Sequence, residues 1–216
     1  TCWGGTDHDK YGLEPVLEGP FLKIEVAHAA QAACGIKTDH TIECWSSNSN
    51  VEPLLLSEIP EGEFQKLTVN RTNACALDAD GVTTCWGGGN GYGVLSNIPV
   101  TPFLAISLSE KRACGLQSDG QVRCWGNNVE KTEGNWAKIS SAYSELCFLE
   151  TNGNVQCNFA DDMYLTPGPV GTFEDVDFST VTGAIGVDEF SLTATAVAIT
   201  TSVGDALSVK EIVITN

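Results

Sequence analysis

Cys75-Ala-Leu-Asp-Ala-Asp-Gly-Val-Thr-Thr-Cys85-Trp86 is the stretch that decides the fold, because the chain repeats it in register. The other copies are Cys34-Gly-Ile-Lys-Thr-Asp-His-Thr-Ile-Glu-Cys44-Trp45, Cys114-Gly-Leu-Gln-Ser-Asp-Gly-Gln-Val-Arg-Cys124-Trp125 and Cys147-Phe-Leu-Glu-Thr-Asn-Gly-Asn-Val-Gln-Cys157-Asn158. A unit returning about every 40 residues belongs to an array, and the array has to be read before any single residue. Within one copy the cysteines are equidistant from Asp80, so a three-residue loop, Ala79-Asp80-Gly81, brings Cys75 and Cys85 face to face. Such loops end on a residue in the left-handed region, which suits Gly81, Gly120 and Gly153. His40 stands there in the first copy, so that turn is expected to be strained or of another type.

Directly opposed strand residues have Cα atoms roughly 4.5 to 5.5 Å apart, within the window of about 4.4 to 6.8 Å that a disulfide accepts. Four cystines are therefore expected, each across its own hairpin: Cys34–Cys44, Cys75–Cys85, Cys114–Cys124 and Cys147–Cys157. Zinc is the competing use of cysteine, but the pairs lack the short ligand spacing of zinc knuckles, and His8, His28 and His40 form no cluster. Cystines persist in oxidising compartments, which points to a secreted or cell-surface protein. Cys2 is left over. Cys2-Trp3-Gly4-Gly5 matches Cys85-Trp86-Gly87-Gly88, and Tyr11-Gly12 echoes Tyr92-Gly93, so the chain opens on the second cysteine of a unit. Met163 is the sole methionine, and the reading is of a processed or partial chain with Cys2 free, bonded to another chain or paired outside this sequence.

Each unit starts with an aromatic residue, Phe21, Phe64, Phe103 or Trp136, leading a strand with apolar residues at alternate positions. A unit is then a leading strand, the cystine hairpin and a Gly/Asn-rich exit such as Trp86-Gly-Gly-Gly-Asn-Gly-Tyr-Gly93. Within the hairpin, Cys75 and Leu77 are expected on one face and Val82 and Trp86 on the other, which suits a blade held between neighbouring blades.

Phe-x-x-Ile, then Cys-Ala-Leu-x-x-Asp-Gly-x-Val-x-Cys-Trp-Gly and Gly-Tyr-Gly, resembles the β-propeller repeat named for the regulator of chromosome condensation, in its cysteine-paired secreted form. The resemblance covers residues 1 to 158 and implies a seven-bladed propeller of short antiparallel sheets used as a binding scaffold. It carries over no catalytic residue and calls for no cofactor. Four cystine units and a fragment are too few for such a ring, and an open arc exposes sheet edges that invite pairing with other chains.

The expected architecture is all-β: a propeller-like array over 1–160 and a C-terminal β segment over 173–216, joined by a linker at 161–172. The array divides into a partial unit 1–20 and units at 21–63, 64–102, 103–135 and 136–160. Phe173-Glu-Asp-Val176 repeats the leading motif, so the C-terminal segment reads as a decayed fifth blade or as a separate small sheet. Strand-like runs fall at Val176–Thr182, Phe190–Thr201 and Ala206–Thr215.

With 28 acidic against 11 basic residues the net charge is −17, which repels nucleic-acid phosphates. There is no uninterrupted apolar span of about 20 residues for a membrane helix. Asp7/Asp9, Asp78/Asp80 and Asp161/Asp162 offer oxygens to calcium but lack EF-hand spacing, and the plainer reading is a solvated acidic surface. Gly87-Gly88-Gly89-Asn90-Gly91 lacks the Gly-Lys-Ser/Thr of a phosphate loop and reads as a turn. Trp3, Trp45, Trp86 and Trp125 fit either a glycan-stacking platform or blade packing, with packing favoured. Asn70-Arg71-Thr72 is an N-glycosylation sequon. The leading functional expectation is a secreted, non-enzymatic protein that acts by protein association, as a subunit of an extracellular assembly or filament. An adhesin or inhibitor binding protein or glycan through the segments Ser46–Glu63, Gly87–Pro102 and Asn127–Asn135 is the alternative, and a polysaccharide-acting enzyme comes third.

Overall fold

The computed structural model describes residues 19–27, 32–46, 53–89, 92–127, 133–142 and 145–158, with short pieces at 166–167, 175–176, 197–198, 202–203 and 206–207. Cys2, Trp3, His8, His28 and the acidic pairs Asp7/Asp9 and Asp161/Asp162 lie outside the described residues. The chain is all-β, built of four antiparallel sheets that each follow the order leading strand, first-cysteine strand, second-cysteine strand. Blade 1 comprises β1 (Phe21–Ala27), β2 (Ala32–Lys37) and β3 (Ile42–Ser46). Blade 2 comprises β4 (Lys66–Val69), β5 (Asn73–Leu77) and β6 (Thr83–Gly87), and blade 3 comprises β7 (Ala105–Leu108), β8 (Arg112–Leu116) and β9 (Val122–Gly126). Blade 4 comprises β10 (Trp136–Ala142), β11 (Glu145–Glu150) and β12 (Val155–Asn158). It also has a fourth strand, β13 (Thr166–Pro167), which pairs with β12 from inside the segment expected to be plain linker. A helix of five residues, α1 (Pro53–Ser57), lies between blades 1 and 2 where the sequence gives no helical period.

Registers pair Cys34 with Cys44, Cys75 with Cys85, Cys114 with Cys124 and Cys147 with Cys157. All four pairs are disulfides, with Cα atoms 4.0 Å apart in three and 4.1 Å in the fourth. These separations fall below the expected window, at the narrow type of antiparallel pairing where side chains stand closest. The hairpin turns share one design. In blade 2 the Asp78 amide donates to Val82 O and the Gly81 amide to Asp78 O, closing the three-residue loop. Blades 1, 3 and 4 repeat this with Lys37/Thr41, Gln117/Gln121 and Glu150/Asn154.

His40 takes the same turn as the glycines, not another type: its φ is 65°, against 79° at Gly81 and Gly120. The turn residue also holds the next unit, since the amides of Phe64, Phe103 and Trp136 donate to the carbonyls of His40, Gly81 and Gly120. A Cβ on Gly81 would stand 2.6 Å from Phe103 O and 2.9 Å from Phe103 N. Position 81 therefore excludes a side chain twice, by conformation and by the backbone laid across it. Gly81→Ala is expected to cost about 2 kcal/mol or more, summing the left-handed penalty and the displaced contact. His40→Gly should stay within about 0.5 kcal/mol of wild type, because relief of strain is offset by loss of the 3.2 Å contact between His40 Nδ1 and Phe64 O. Urea titration of both variants checks the asymmetry.

The blades stack in one direction. β4 packs on β1 and β2, β7 on β4 and β5, and β10 on β7 and β8, so the leading strands of blades 2, 3 and 4 lie over the leading and middle strands of the blade before. Three apolar cores result, one at each junction. The first joins the cystine face of blade 1 (Cys34, Ile36, Ile42) to Phe64, Leu67, Val69 and Trp86 of blade 2. The second joins Cys75 and Leu77 to Phe103, Leu108 and Trp125, and the third joins Cys114, Leu116 and Val122 to Trp136, Ile139 and Phe148. A hairpin thus shows its cystine forward and its tryptophan backward. The leading aromatic packs over the residue after the first cysteine: a Cβ on Gly115 would stand 2.4 Å from the Phe103 ring.

Val82 does not join Trp86 on the backward face; it is exposed in the turn. The alternation holds, since Val82 has the parity of Trp86 and Thr83 that of Cys85, but the strand begins at Thr83 and Val82 lies in the turn before it. Thr83 opposes Leu77 as Val122 opposes Leu116, Ile42 opposes Ile36 and Val155 opposes Leu149, so the inward position belongs to Thr83. Its Oγ1 is buried with no hydrogen-bond partner in the protein. Thr83→Val, which keeps the shape and removes the unpaired hydroxyl, is expected to raise stability by about 1 kcal/mol in chemical denaturation.

Candidate interaction surfaces

The tryptophan row is structural. Trp45, Trp86 and Trp125 are buried, and the Trp86 and Trp125 indoles donate to Leu55 O at 3.1 Å and Val94 O at 2.8 Å. A ring with both faces packed and its N–H bonded has nothing to offer a sugar. The bonded carbonyls belong to segments expected to carry recognition loops, yet Leu55 and Val94 are themselves fully buried in the junction cores. Their roles were missed in the sequence, although each precedes its tryptophan by the same 31 residues. That common spacing is the signal that identifies them. Loop length varies between the units while the plug position does not.

Asn70 is likewise spoken for. It is 5% exposed; its Nδ2 donates to Ser109 O at 2.7 Å, and its Oδ1 accepts from the amides of Thr72 and Asn73. A glycan on Nδ2 requires that nitrogen in solvent, so the sequon is part of a turn that ties blade 2 to blade 3. Asn73, also buried, donates through Nδ2 to Gly89 O and accepts from the Gly89 amide at Oδ1, which makes the glycine run a clamped turn as its composition suggested.

The acidic residues of the hairpin tips are occupied in the same local way. Asp78 Oδ1 accepts from the amides of Asp80 and Val82, and Asp119 Oδ1 accepts from the Gln121 amide. The Thr41 hydroxyl and then the Thr41 amide donate to Asp39, holding its carboxyl below its ordinary value. These carboxylates cap turns with one oxygen each, and among the described residues no three metal-ligating side chains converge. Of the nearby cations, Lys23 reaches both Glu25 at 2.7 Å and Leu67 O at 3.1 Å, tying β1 to β4.

Two sets of exposed apolar side chains remain. Val82, Val100 and Leu104 stand in solvent around the second hairpin turn and the start of the third unit. Leu22, Ile24 and Val26 stand in solvent along β1, which among the described residues pairs only with β2. Among the described residues no helix is long and apolar enough to cross a membrane.

No family model and no curated protein matches the chain. Solved structures do. The CRINKLY ectodomain of the Arabidopsis thaliana receptor kinase ACR4 is 23% identical over 62% of this chain and 49% of its own, with a TM-score of 0.53. The entire ectodomain of the Physcomitrella patens receptor kinase CR4 is 20% identical over 76% and 49%, with a TM-score of 0.59. Prp20p of Saccharomyces cerevisiae, described with its binding to Gsp1p and histones, is 12% identical over 72% and 52%, with a TM-score of 0.54. This chain spans about half the length of each. At these identities the likeness is one of fold, and it agrees with the repeat: the chain is an array of β-propeller blades, each closed by a disulfide, similar to the propeller of the regulator of chromosome condensation.

Proposed function

We propose that this chain is an extracellular, non-catalytic scaffold that works by associating with other proteins, as a subunit of an assembly. The carrying observation is where its chemistry is spent. The described tryptophans, the cystines and the buried Asn70 and Asn73 all hold blades or turns together, while apolar side chains stay exposed along β1. The cystines support a secreted location, because buried bonds of this kind are made and kept under oxidising conditions. The proteins Prp20p binds illustrate that a propeller of this shape serves as a protein-docking surface, and the receptor ectodomains illustrate its use outside the cell.

The C-terminal segment extends the scaffold. β14 (Asp175–Val176) packs on β10 and β11, the place that each later leading strand takes on the blade before it, which supports reading the C-terminal segment as a fifth, degenerate blade; its pairing with Val197–Ala198 is parallel, unlike that of the other leading strands. Mass photometry of the native protein at micromolar concentration tests the reading. A discrete species larger than one chain is expected, and a uniform monomer alone and with native partners removes it.

A further inference from the structure

Three apolar side chains gather at the junction of blades 2 and 3, in places that the fold does not require to be apolar. Val82 follows the turn residue of the second hairpin, and its carbonyl closes the turn as those of Thr41, Gln121 and Asn154 do in the other hairpins. Val100 stands three residues before its leading aromatic, where the other units have Glu18, Glu61 and Glu133. Leu104 follows that aromatic, as Leu22, Gln65 and Ala137 follow theirs. The same turns and leading strands form with threonine, glutamine or glutamate at these places, so packing does not account for Val82, Val100 and Leu104, which are 48%, 96% and 59% exposed. The Phe103 amide donates to Gly81 O and the Leu104 amide to Leu116 O, which sets the three between the second and third hairpin tips. Exposed apolar residues standing singly are ordinary, whereas adjoining ones mark a contact surface.

Val100 is also held stiffly. Pro99 and Pro102 fix the backbone on either side of it, and Ile98 and Phe103, both packed in the second junction core, anchor the two ends of the segment. A side chain presented in this way loses little conformational freedom on being covered. The border of the patch is acidic. Asp78 and Asp80 lie in the tip on one side and Asp119 in the tip on the other, and residues 78–82, 98–104 and 117–121 contain no Lys, Arg or His. Arg123 reaches the third tip from β9, its Nε donating to Gln117 Oε1 at 3.2 Å. A second copy of the chain would bring a further net charge of −17 against this surface, and anionic lipid or nucleic acid is repelled in the same way. An apolar centre with an acidic border is complementary to apolar side chains flanked by cations.

We propose that the Val82/Val100/Leu104 patch is the docking site of a basic partner polypeptide, one that presents Val-, Ile- or Leu-sized side chains between Lys or Arg residues. Its apolar side chains cover the three residues and supply the burial. Its cations meet the carboxylates of Asp80 and Asp119, which fix orientation and speed association. This inference rests on the scaffold reading and names the surface and the partner's chemistry.

The probe is a fluorescein-labelled heptapeptide alternating lysine and leucine, titrated with the full chain at physiological salt and followed by anisotropy. Saturable one-to-one binding is expected, at least about tenfold tighter than that of a heptapeptide of lysine alone or one alternating glutamate and leucine. Val82→Thr/Val100→Gln/Leu104→Gln, a set that keeps the charge and leaves the melt unchanged, should weaken binding about 30-fold. Asp80→Asn/Asp119→Asn should weaken it about fivefold and flatten its salt dependence. Equal binding of the all-lysine peptide, preference for the glutamate peptide, or indifference to either set of substitutions overturns the proposal, as does a chain dimer that the triple substitution dissolves. The two readings fail separately. Native assembly that survives the triple substitution, with no peptide binding, removes this site and leaves the scaffold function. Peptide binding by a protein that forms no native assembly removes the function and leaves the site.

Discussion

Trp125→Ala should cost about 4 kcal/mol and open the array between blades 2 and 3 before the rest. The indole is 3% exposed in the second junction core, with Cys75, Leu77, Phe103 and Leu108 around it. It lies nearly parallel to the Phe103 ring, centroids 6.0 Å apart and planes 16° from each other. Truncating a packed aromatic to Ala costs about 3 to 5 kcal/mol through lost burial and the cavity left behind. A second loss follows, because Val94 O gives up its 2.8 Å donor and Val94 is itself fully buried. Trp125→Phe separates the two terms: it keeps most of the apolar surface, leaves the carbonyl unpaired and should cost about 2 kcal/mol. Because the main packing among the described residues runs between successive blades, the damage is local, and amide exchange should rise first in β5 to β9. A variant losing under about 1 kcal/mol, or exchanging uniformly along the chain, contradicts the stacked-junction account.

The same residue shows how far the sequence could be read. A tryptophan directly after a strand cysteine, recurring at 45, 86 and 125, points to packing, and the buried rings agree. Hairpin, turn and cystine were legible because they are local: their geometry is set within twelve residues by alternation and by a left-handed turn position. Direction was not legible. Which face meets which neighbour depends on the handed stacking of blades, and the pattern of one hairpin is apolar on both sides. Val82, placed with Trp86 by alternation, stands one residue before the strand begins and is exposed. A turn residue beside a strand need not share its burial, and only register against Leu77 settles where the strand begins.

The structural role of Asn70 was hidden for a different reason. A sequon specifies three residues and nothing about exposure, while the side chain's bond to Ser109 O joins positions 39 residues apart. The plugs Leu55 and Val94 were missed because they sit in segments of unequal length, and irregular loops conceal a contact whose spacing is constant only when measured from the following tryptophan. The exposed face of β1 was hidden in the opposite way. Phe21-Leu-Lys-Ile24-Glu-Val26 reads like every other leading strand, and its lack of cover is a property of its neighbour, not of itself.

The largest effect should come from the cystines, and it ties stability to compartment. Each closes a hairpin at a sequence separation of 10, which on the chain-entropy model is about 3 kcal/mol withdrawn from the unfolded state. Blades of three short strands have little else to hold them singly, since a lone hairpin is marginal in water. The bonds also sit inside the junctions, with Cys34, Cys75, Cys114 and Cys157 fully buried. Loss of all four, about 12 kcal/mol if the terms add, is of the same size as a typical domain stability of about 5 to 15 kcal/mol. Incubation with excess reductant in mild denaturant is therefore expected to unfold the chain in one passage, without a folded reduced form. Cys75→Ala/Cys85→Ala, which removes one bond and leaves the other three, should cost about 3 kcal/mol or more, as its urea midpoint would record. Retention of native circular dichroism after complete reduction would detach the fold from its cystines, and with that the argument from bond chemistry to an oxidising location would fall. If reduction unfolds the chain as expected, this scaffold can persist only where thiols are kept oxidised, and its partners have to be sought there.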